Sequence, residues 1–448
     1  MGKYFGTDGF RGVANIELTS MHAYRIGRYL GWYLSQYKEE KRPRVVIGKD
    51  TRLSSYMLEY SVTAGLCASG ADAYMLHVTT TPSVSYITRN EGFDAGIMIT
   101  ASHNPFTDNG IKILNADGEK ADESLLNLIE EYIDGGDIPY ATGNSIGRIT
   151  DYVAGRNRYI GHLISIPSSS YKKLRIGLDA ANGAAFEIAR SVFSSLSAHV
   201  EMIGDSPNGL NINDNCGSTH IDALQKLVKA RGLDAGFAFD GDADRCIAID
   251  ENGDVVDGDG IMYILASRLM ALGALNKKTV VATVMSNSGF VKSLSELGIN
   301  TSLTTVGDRY VFERMTDGEY SLGGEQSGHI IVKKYSQTGD GIITALLLCE
   351  QMCESNKRLS ELYKGLTLYP QFTENVRVRD KDAAICASVV AESLESARRA
   401  IGNNGRILLR KSGTEQLLRV MVECESHELA KHYANLIKEA IEKYDEIN

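Results

Sequence analysis

Short apolar runs alternate with amphipathic stretches along the first two thirds of the chain. In the first pass of this pattern we predict a helix over 21–37, then strands at 44–50, 73–78 and 94–99. A helix over 54–68 and a shorter helix separate the three strands. Strands that alternate with helices indicate a parallel sheet covered by helices.

The same order of elements returns twice. The second pass predicts strand 174–179, helix 183–193, strand 198–203, helix 221–230 and strand 233–240, and the third predicts strand 279–284, helix 288–297, strand 301–305, helix 307–315 and a final segment at 320–328. Asp-Ala-Gly at 94–96 is repeated at 234–236, each time opening the third strand of its pass. This recurrence predicts an internal structural repeat in which each third strand ends in a polar loop.

The last eighty or so residues follow another pattern. We predict a strand at 373–379, a helix near 383–401, strands around 407 and 417–423, and a helix over 428–443, with linkers at 134–150 and 363–371. The chain of 448 residues exceeds one compact core. We therefore predict an α/β protein: three related α/β domains with mixed sheets plus a smaller C-terminal α+β domain around a central cleft. The domain boundaries are 1–150, 151–252, 253–366 and 367–448.

Composition narrows the class of protein. Apolar residues make up 43% and charged residues 23%, and the net charge of −10 argues against general nucleic-acid binding. A few local Arg and Lys residues still allow an anionic small-molecule substrate. Seven scattered Cys without a CxxC pair, no signal-peptide core and no run long enough to span a bilayer lead us to expect a cytoplasmic protein with no nucleic-acid or membrane partner.

The apolar run that begins at Asp94 stops at Thr100-Ala101-Ser102-His103-Asn104-Pro105. Because the Asn-Pro step cannot continue a strand, the chain must turn there. This places Ser102 at the carboxyl edge of a sheet, where open α/β folds hold their ligands.

The loop Asp240-Gly241-Asp242-Ala243-Asp244-Arg245 places three carboxylates on alternate residues just beyond a strand. Such close acidic groups repel one another unless a cation neutralises them, and carboxylate oxygens suit Mg²⁺. A calcium loop of the EF-hand type fits poorly, because Arg245 stands where that loop needs Gly. If the loop that carries Ser102 faces this one, a phosphorylated Ser102 would supply a further charged ligand.

Two later loops have polar groups suited to a sugar phosphate. Gly324-Glu325-Gln326-Ser327-Gly328-His329 offers hydrogen-bonding groups to a polyol, although Gly-rich turns commonly contain Glu and Ser. In the segment 410–419, hydroxyls and a Gly lie between two arginines, a set that suits a phosphate dianion as well as an ordinary basic hairpin. Lys112, a cation in an apolar strand, is either a snorkelling residue or part of a catalytic site.

These four loops, in this order, make the chain resemble the α-D-phosphohexomutase superfamily over essentially its whole length. Three further stretches, Lys3 to Gly9, Val306 to Val311 and Gln326, are similar to the branch of that superfamily that acts on glucosamine phosphates. The resemblance implies a cytoplasmic isomerase that interconverts glucosamine 6-phosphate and glucosamine 1-phosphate for amino-sugar nucleotide synthesis. The reaction would use a phosphoserine and a 1,6-bisphosphate, with Mg²⁺ as cofactor and the sugar bisphosphate as activator.

The resemblance also implies a task for each domain: phosphoserine, metal binding, sugar binding and phosphate binding, in chain order. The metal would be held by Ser102, Asp240, Asp242 and Asp244. The substrate would be bound by Glu325, Ser327, Arg410, Ser412, Gly413, Thr414 and Arg419. The candidates for proton transfer and charge stabilisation are Lys112, His329, Arg11, Arg245 and His103. Lys112 qualifies as a base if nearby cations depress its pKa.

Three positions depart from the pattern of the superfamily. Ala243 replaces the usual middle Gly of the metal loop, which is harmless unless that residue needs a positive φ. Lys411 and Gln416 replace prolines, which removes stiffness from the phosphate loop. The alternatives are a phosphoglucomutase or phosphomannomutase with the same machinery, a Mg²⁺-dependent phosphatase, and a non-catalytic sugar-phosphate binding protein. The sequence leaves open how strictly the 2-amino group is required, how Ser102 is first phosphorylated, the source organism and the oligomeric state, with a homodimer as one option.

Overall fold

A computed structural model describes residues 2–37, 41–402, 405–411 and 416–447 of the protein. The chain divides into two compact units. The first contains Met1–Met285 and Ser302–Lys364, and the second contains Ser286–Thr301 and Gly365–Asn448.

A seven-stranded sheet occupies the start of the first unit, in the order β1-β2-β6-β5-β3-β4-β7. Its strands are β1 (Phe5–Gly6), β2 (Gly9–Val13), β3 (Arg44–Lys49), β4 (Asp72–Val78), β5 (Ala95–Ile99), β6 (Asp108–Leu114) and β7 (Ile149–Asp151). The helices of this region are α1 (Ser20–Ser35), α2 (Leu53–Ala68), α3 (Thr81–Asn90) and α4 (Glu123–Asp134). β3 pairs in parallel with β4 and β5, as predicted, and β6 runs antiparallel to β5.

A five-stranded sheet follows, in the order β12-β11-β10-β8-β9. Its strands are β8 (Arg175–Asp179), β9 (His199–Ile203), β10 (Ala235–Phe239), β11 (Cys246–Asp250) and β12 (Val255–Val256). The helices of this part of the chain are α5 (Val153–Ser165), α6 (Ala185–Ser195) and α7 (Asp222–Arg231). β10 runs parallel to β8 and antiparallel to β11, which repeats the arrangement around β5.

A four-stranded sheet has the order β14-β13-β15-β16. Its strands are β13 (Thr279–Thr283), β14 (Asn300–Thr304), β15 (Leu322–Gly324) and β16 (Ile330–Val332). The helices of this stretch of sequence are α8 (Gly258–Ala271), α9 (Ser288–Glu296), α10 (Asp308–Gly318), α11 (Gly341–Ser355) and α12 (Leu359–Leu362).

The second unit contains α9 and a three-stranded antiparallel sheet, in the order β17-β19-β18. Its remaining elements are β17 (Gln371–Arg377), α13 (Lys381–Cys386), α14 (Ser388–Ile401), β18 (Gly405–Lys411), β19 (Leu417–Cys424) and α15 (His427–Ile447). Buried aliphatic residues of the sheet and of α14 and α15 form one core. This is the small α+β unit that the sequence predicts.

The repeated Asp-Ala-Gly has a physical explanation. The carboxylate of Asp94 accepts the backbone N–H of Arg44 at 2.8 Å, and that of Asp234 accepts the N–H of Arg175 at 2.7 Å. In each sheet, the aspartate just before the third strand of the pass thus accepts a hydrogen bond from the first backbone N–H of the neighbouring strand. The strands that follow these aspartates, β5 and β10, are buried at every residue. The chain therefore turns only after each strand, where the polar residues begin.

The predicted fold class is confirmed, with two differences in detail. The predicted linker over 134–150 ends in β7, which pairs with β4 and extends the first sheet. The predicted helix over 383–401 is two helices, because Ala387 has an extended backbone between α13 and α14. None of the helices in the described ranges is long and apolar enough to cross a membrane.

Candidate active site

Ser102 lies in a tight turn directly after β5. Its φ is 51° and the residue is buried. Its backbone N–H donates to Oγ1 of Thr100 at 2.9 Å, and its hydroxyl donates to Oδ2 of Asp240 at 2.5 Å. The first and second polar loops therefore meet, as the sequence analysis expects.

The buried side chain of Arg52 holds this turn through hydrogen bonds to its backbone carbonyls. Arg52 uses its guanidinium N–H groups on the carbonyls of Ser102 and Asn104, both at 2.9 Å, and on those of Pro105 and Asp108. Its Nε donates to Asp50 at 2.8 Å, so the buried charge is paired. Five donors in a fixed fork are needed to bind this many acceptors, and only arginine has them.

A second brace comes from the loop after β9. Nδ2 of Asn213 donates to the carbonyl of Ser102 at 2.8 Å and to that of Asn104 at 3.0 Å. Gly241 lies against the same carbonyl, since a Cβ added there would stand 2.5 Å from the oxygen of Ser102. The serine turn and the acidic loop can approach this closely only because position 241 carries no side chain.

The carboxylates of Asp240, Asp242 and Asp244 are buried, and each offers an oxygen within 4.8 Å of the others. Burial raises the pKa of Asp240 well above its usual value, and the charges of Asp244 and Asp242 raise it further. Within the described ranges, Oδ1 of Asp242 and Oδ1 of Asp244 are buried and accept no hydrogen bond. Unsatisfied buried carboxylate oxygens in one cluster fit a divalent cation that prefers oxygen ligands.

Lys112, in β6, points into the acidic cluster. Its Nζ lies 2.9 Å from Asp242, 3.3 Å from Asp244 and 3.4 Å from Asp8. Burial lowers the pKa of Lys112, but these three carboxylates outweigh burial and raise the pKa well above its usual value. The condition under which Lys112 would act as a base, a pKa depressed by nearby cations, is therefore not met in this arrangement, in which Lys112 is a cation.

The two candidate histidines differ in environment. Nδ1 of His103 lies 3.3 Å from the hydroxyl of Ser102. Burial lowers the pKa of His103, and Arg245 and Arg11 lower it further, to about 4, so the ring is neutral near pH 7.

His329 is buried, and its Nδ1 lies 3.7 Å from Asp244. Burial lowers the pKa of His329, but its pairing with the Asp244 carboxylate and the charge of Asp308 outweigh burial and raise the pKa to about 9. The N–H of Gly339 donates to Nε2 at 3.0 Å, which favours the neutral ring. The two sides of the ring therefore favour opposite protonation states.

Arg245 and Arg11 supply further positive charge. The backbone N–H of Arg245 donates to Oδ1 of Asp240 at 3.2 Å, and its side chain lies 3.9 Å from Asp244. Burial lowers the pKa of Arg245, but Asp240 and Asp244 outweigh burial and raise it, so the guanidinium keeps its charge. Arg11 is paired with Asp8.

The proposed sugar loop is the turn between β15 and β16. The N–H of Glu325 donates to the carbonyl of His329 at 3.0 Å, which closes the turn. Ser327 is exposed, and its hydroxyl donates to Glu325 at 3.5 Å. Nε2 of Gln326 donates to Asp257 at 3.1 Å, at the start of α8, so this amide anchors the loop.

The two described arginines of the phosphate loop belong to the second unit. Arg410 in β18 and Arg419 in β19 are opposite each other in the antiparallel ladder. Like charges at such a position are unfavourable unless an anion lies between them. Ser412, Gly413 and Thr414 lie outside the described residues. Lys411 pairs with Asp382, and Gln416 donates to the carbonyl of Arg379 at 2.8 Å.

With this geometry established, comparison with known proteins identifies the class. The four domain models of phosphoglucomutase/phosphomannomutase match residues 2–138, 157–253, 257–369 and 374–440 in chain order. The chain belongs to the phosphoglucomutase/phosphomannomutase family, whose members are isomerases that move a phosphoryl group within a sugar phosphate.

The similar curated proteins are named phosphoglucosamine mutase. One from Lachnospira eligens is 55% identical over 98% of this chain and 98% of its own length. One from Lachnoclostridium phytofermentans is 54% identical over 97% of both chains. The expected relationship to the glucosamine branch is confirmed.

Solved structures agree in fold. A phosphoglucomutase/phosphomannomutase family protein from Burkholderia thailandensis has a TM-score of 0.81, 21% identity and coverage of 99% of this chain and 98% of its own. The N-acetylphosphoglucosamine mutase of Aspergillus fumigatus, solved with GlcNAc-6P and magnesium, has a TM-score of 0.66 and 18% identity over 99% of this chain and 96% of its own.

Several residues of the site escape sequence reasoning. Arg52, Asn213 and Asp8 contact Ser102 or Lys112 from distant parts of the chain. The signal available for Arg52 is the charged run Lys49-Asp50-Thr51-Arg52 at the carboxyl edge of a buried strand. No comparable signal marks Asn213, which lies in a long irregular loop.

We predict that Arg52→Lys destabilises the first unit by about 2–4 kcal/mol, because an ammonium with three donors leaves buried carbonyls unpaired. Thermal and urea unfolding followed by circular dichroism measure this loss. The control is Arg231→Lys, whose parent side chain is 64% exposed and pairs with Glu201. That variant should stay within about 0.5 kcal/mol of the natural protein. Equal effects in the two variants would refute the proposed brace.

Ala243 has a positive φ of 57°. This is the case in which replacing the usual glycine of the metal loop by alanine has a cost. We predict that Ala243→Gly stabilises the protein by about 0.5–1 kcal/mol, because it relieves a left-handed backbone that disfavours a Cβ. Ala248→Gly, in the buried strand β11, is the matched control and should destabilise it. Urea unfolding of both variants tests this, because Ala→Gly is expected to raise the free energy of unfolding at position 243 and to lower it at position 248.

Proposed function

We propose that this protein interconverts glucosamine 6-phosphate and glucosamine 1-phosphate through a phosphoserine at Ser102. The carrying observation is the direct contact between the Ser102 hydroxyl and Asp240 within a cluster of three buried carboxylates. The names of the similar curated proteins support the choice of the aminated sugar.

In the first transfer, the bond from phosphorus to Oγ of Ser102 breaks and a bond from phosphorus to the sugar O1 forms. The O1 proton passes to a base, Oγ of Ser102 takes up a proton, and glucosamine 1,6-bisphosphate results. In the second transfer, the bond from phosphorus to O6 breaks and the phosphoryl group returns to Oγ of Ser102. The serine hydroxyl gives up its proton and O6 takes one up. The enzyme thus ends each cycle phosphorylated, and the sugar bisphosphate can restore a phosphate that is lost.

Positive charge must collect around the transferred phosphoryl group, whose equatorial oxygens carry negative charge in the transition state. Arg245, Arg11 and Lys112 lie around the serine and the acidic loop and would supply it. Mg²⁺ held by Asp240, Asp242, Asp244 and the phosphate on Ser102 would add to this charge when bound.

The base is assigned from the same contacts. Lys112 is cationic because Asp242, Asp8 and Asp244 surround it, so it can release a proton only when their charge is offset elsewhere. We propose that Lys112 exchanges protons with the sugar hydroxyl once the acidic loop is neutralised, and that His103, neutral beside Ser102, orients the serine oxygen.

Substrate recognition would use two further loops. Glu325 and Ser327 offer a carboxylate and a hydroxyl to the sugar, and Arg410 and Arg419 offer two guanidinium groups to the phosphate that does not react. We propose four domains with the boundaries given by the sequence analysis, the last carrying the phosphate loop.

The first test is mass spectrometry of the purified protein, followed by peptide mapping and a coupled assay with glucosamine 6-phosphate. We expect one phosphate on Ser102 and turnover that needs Mg²⁺ and rises with sugar bisphosphate. Ser102→Ala should lower turnover at least about 10³-fold, because the nucleophile is gone. Ser206→Ala, in an exposed loop, is the control. Persistent turnover with an unphosphorylated Ser102 would refute the mechanism.

The same assay separates the alternative functions. A phosphoglucomutase or phosphomannomutase would convert glucose or mannose 6-phosphate with the higher kcat/KM. A phosphatase would release inorganic phosphate in proportion to substrate consumed. A binding protein would retain sugar phosphate equally well after Ser102→Ala and show no turnover.

We predict that Arg410→Ala and Arg419→Ala each raise the KM for glucosamine 6-phosphate about 10–100-fold, because each removes a charge-assisted bond to phosphate. Phosphorylation of Ser102 by sugar bisphosphate at saturating concentration should persist in both variants. Steady-state kinetics test this, with Arg399→Ala in α14, whose side chain is 74% exposed, as the control. An unchanged KM in both variants would remove these arginines from the site.

A further inference from the structure

The segment Val306 to Val311, which the sequence analysis associates with the glucosamine branch, has a physical task that the mechanism above does not use. Its Asp308 is the first residue of α10, and both of its carboxylate oxygens lie within 2.8 Å of Nζ of Lys120. Lys120 belongs to the loop between β6 and α4 in the first sheet. The contact therefore joins the third sheet region to the first within one compact unit.

The ammonium of Lys120 has three donors, and each has an acceptor. Besides Asp308, Nζ donates to Oδ1 of Asp8 at 2.9 Å and to the carbonyl of Thr7 at 3.1 Å. The other oxygen of Asp8 faces Lys112 at 3.4 Å and also pairs with Arg11. Lys120 thus fixes which oxygen of Asp8 is presented to the proposed catalytic lysine.

The contacts continue on the other side of Asp308. The N–H of Gly307 donates to Oε1 of Glu325 at 3.0 Å. Gly307 has a φ of 133°, a conformation that L side chains rarely adopt, so a glycine is needed to aim this N–H at the sugar loop. An unbroken series of contacts runs from Glu325 through Gly307, Asp308, Lys120 and Asp8 to Lys112.

A cavity next to this series of contacts leaves room for its side chains to move. Asp8, Lys112, Lys120, Asp308 and His329 line one cavity of about 150 Å³. Without the ammonium of Lys120, the carboxylates of Asp8 and Asp308 would repel each other across that cavity. Asp8 would then keep only Lys112 and Arg11 as partners, and nothing would fix which of its two oxygens they contact.

We propose that Lys120 is a positioning residue that couples the sugar-binding loop to the catalytic lysine. Lys120 orients Asp8 toward Lys112 and Arg11. It also fixes the position of Asp308, and Gly307 next to Asp308 in turn holds the carboxylate of Glu325. The inference rests on the proposed function for the tasks of Lys112 and Glu325. The hydrogen bond from Arg309 in α10 to Glu123 in α4, at 3.0 Å, is a second contact between the same two regions.

The test compares Lys120→Met, Lys120→Arg and Asp308→Asn with the natural protein, each fully phosphorylated on Ser102. We expect Lys120→Met to lower the kcat of the mutase reaction about 10–100-fold, since a small misplacement of a catalytic group has an effect of this size. Lys120→Arg should restore most of the rate because it can still bridge two carboxylates. Lys226→Met, on the exposed face of α7, is the control and should keep the natural rate.

A double-mutant cycle separates positioning from mere stabilisation. If Lys120 couples the two loops, the losses in kcat/KM caused by Lys120→Met and Glu325→Ala will be less than multiplicative when combined. A structural ion pair would instead lower Tm, leave kcat per folded molecule unchanged and give multiplicative losses. That result, or a natural rate in Lys120→Met, would overturn the proposal.

Failure of the proposed substrate is distinguishable from failure of this inference. The natural protein is first assayed with glucosamine, glucose and mannose 6-phosphates, and the variants are compared on the sugar that it converts fastest. Conversion of another hexose phosphate would correct the substrate and still measure the effect of Lys120 on kcat.

Discussion

The structure depends on the concentration of three buried carboxylates in a single short loop. Asp240, Asp242 and Asp244 would repel one another strongly if nothing offset their charge. Of the cations around them, Arg245 ends the same loop, whereas Lys112 comes from β6 and the serine hydroxyl from the turn after β5, both in the first sheet. The need to balance this charge therefore brings together parts of the chain that have little other reason to meet.

Much of this arrangement could be predicted because local rules govern it. Buried strands reveal themselves as apolar runs, and the polar residues that end them mark the carboxyl edge of each sheet. Ser102 and the three aspartates are found this way, since each follows a completely buried strand. The repeated Asp-Ala-Gly is visible for a similar reason, because the aspartate caps a neighbouring strand in both sheets.

What the sequence does not reveal is long-range and electrostatic. Arg52 lies fifty residues from Ser102 and Asn213 lies 111 residues away, and no periodicity links them. The pKa of Lys112 depends on the balance between burial and three carboxylates, which requires distances. The strain at Ala243 is likewise a matter of one dihedral angle, which the residue's identity alone does not give.

The bracing of the serine turn has a consequence for motion at the candidate active site. Arg52 and Asn213 hold the carbonyl of Ser102, and Gly241 lies directly against it, so the turn has no freedom to swing. A reaction that uses the same oxygen to give a phosphoryl group at one end of a sugar and take it back at the other needs one partner to pivot. With the serine turn held in this way, the mechanism proposed above would require the sugar bisphosphate, and not the serine, to reorient between the two transfers.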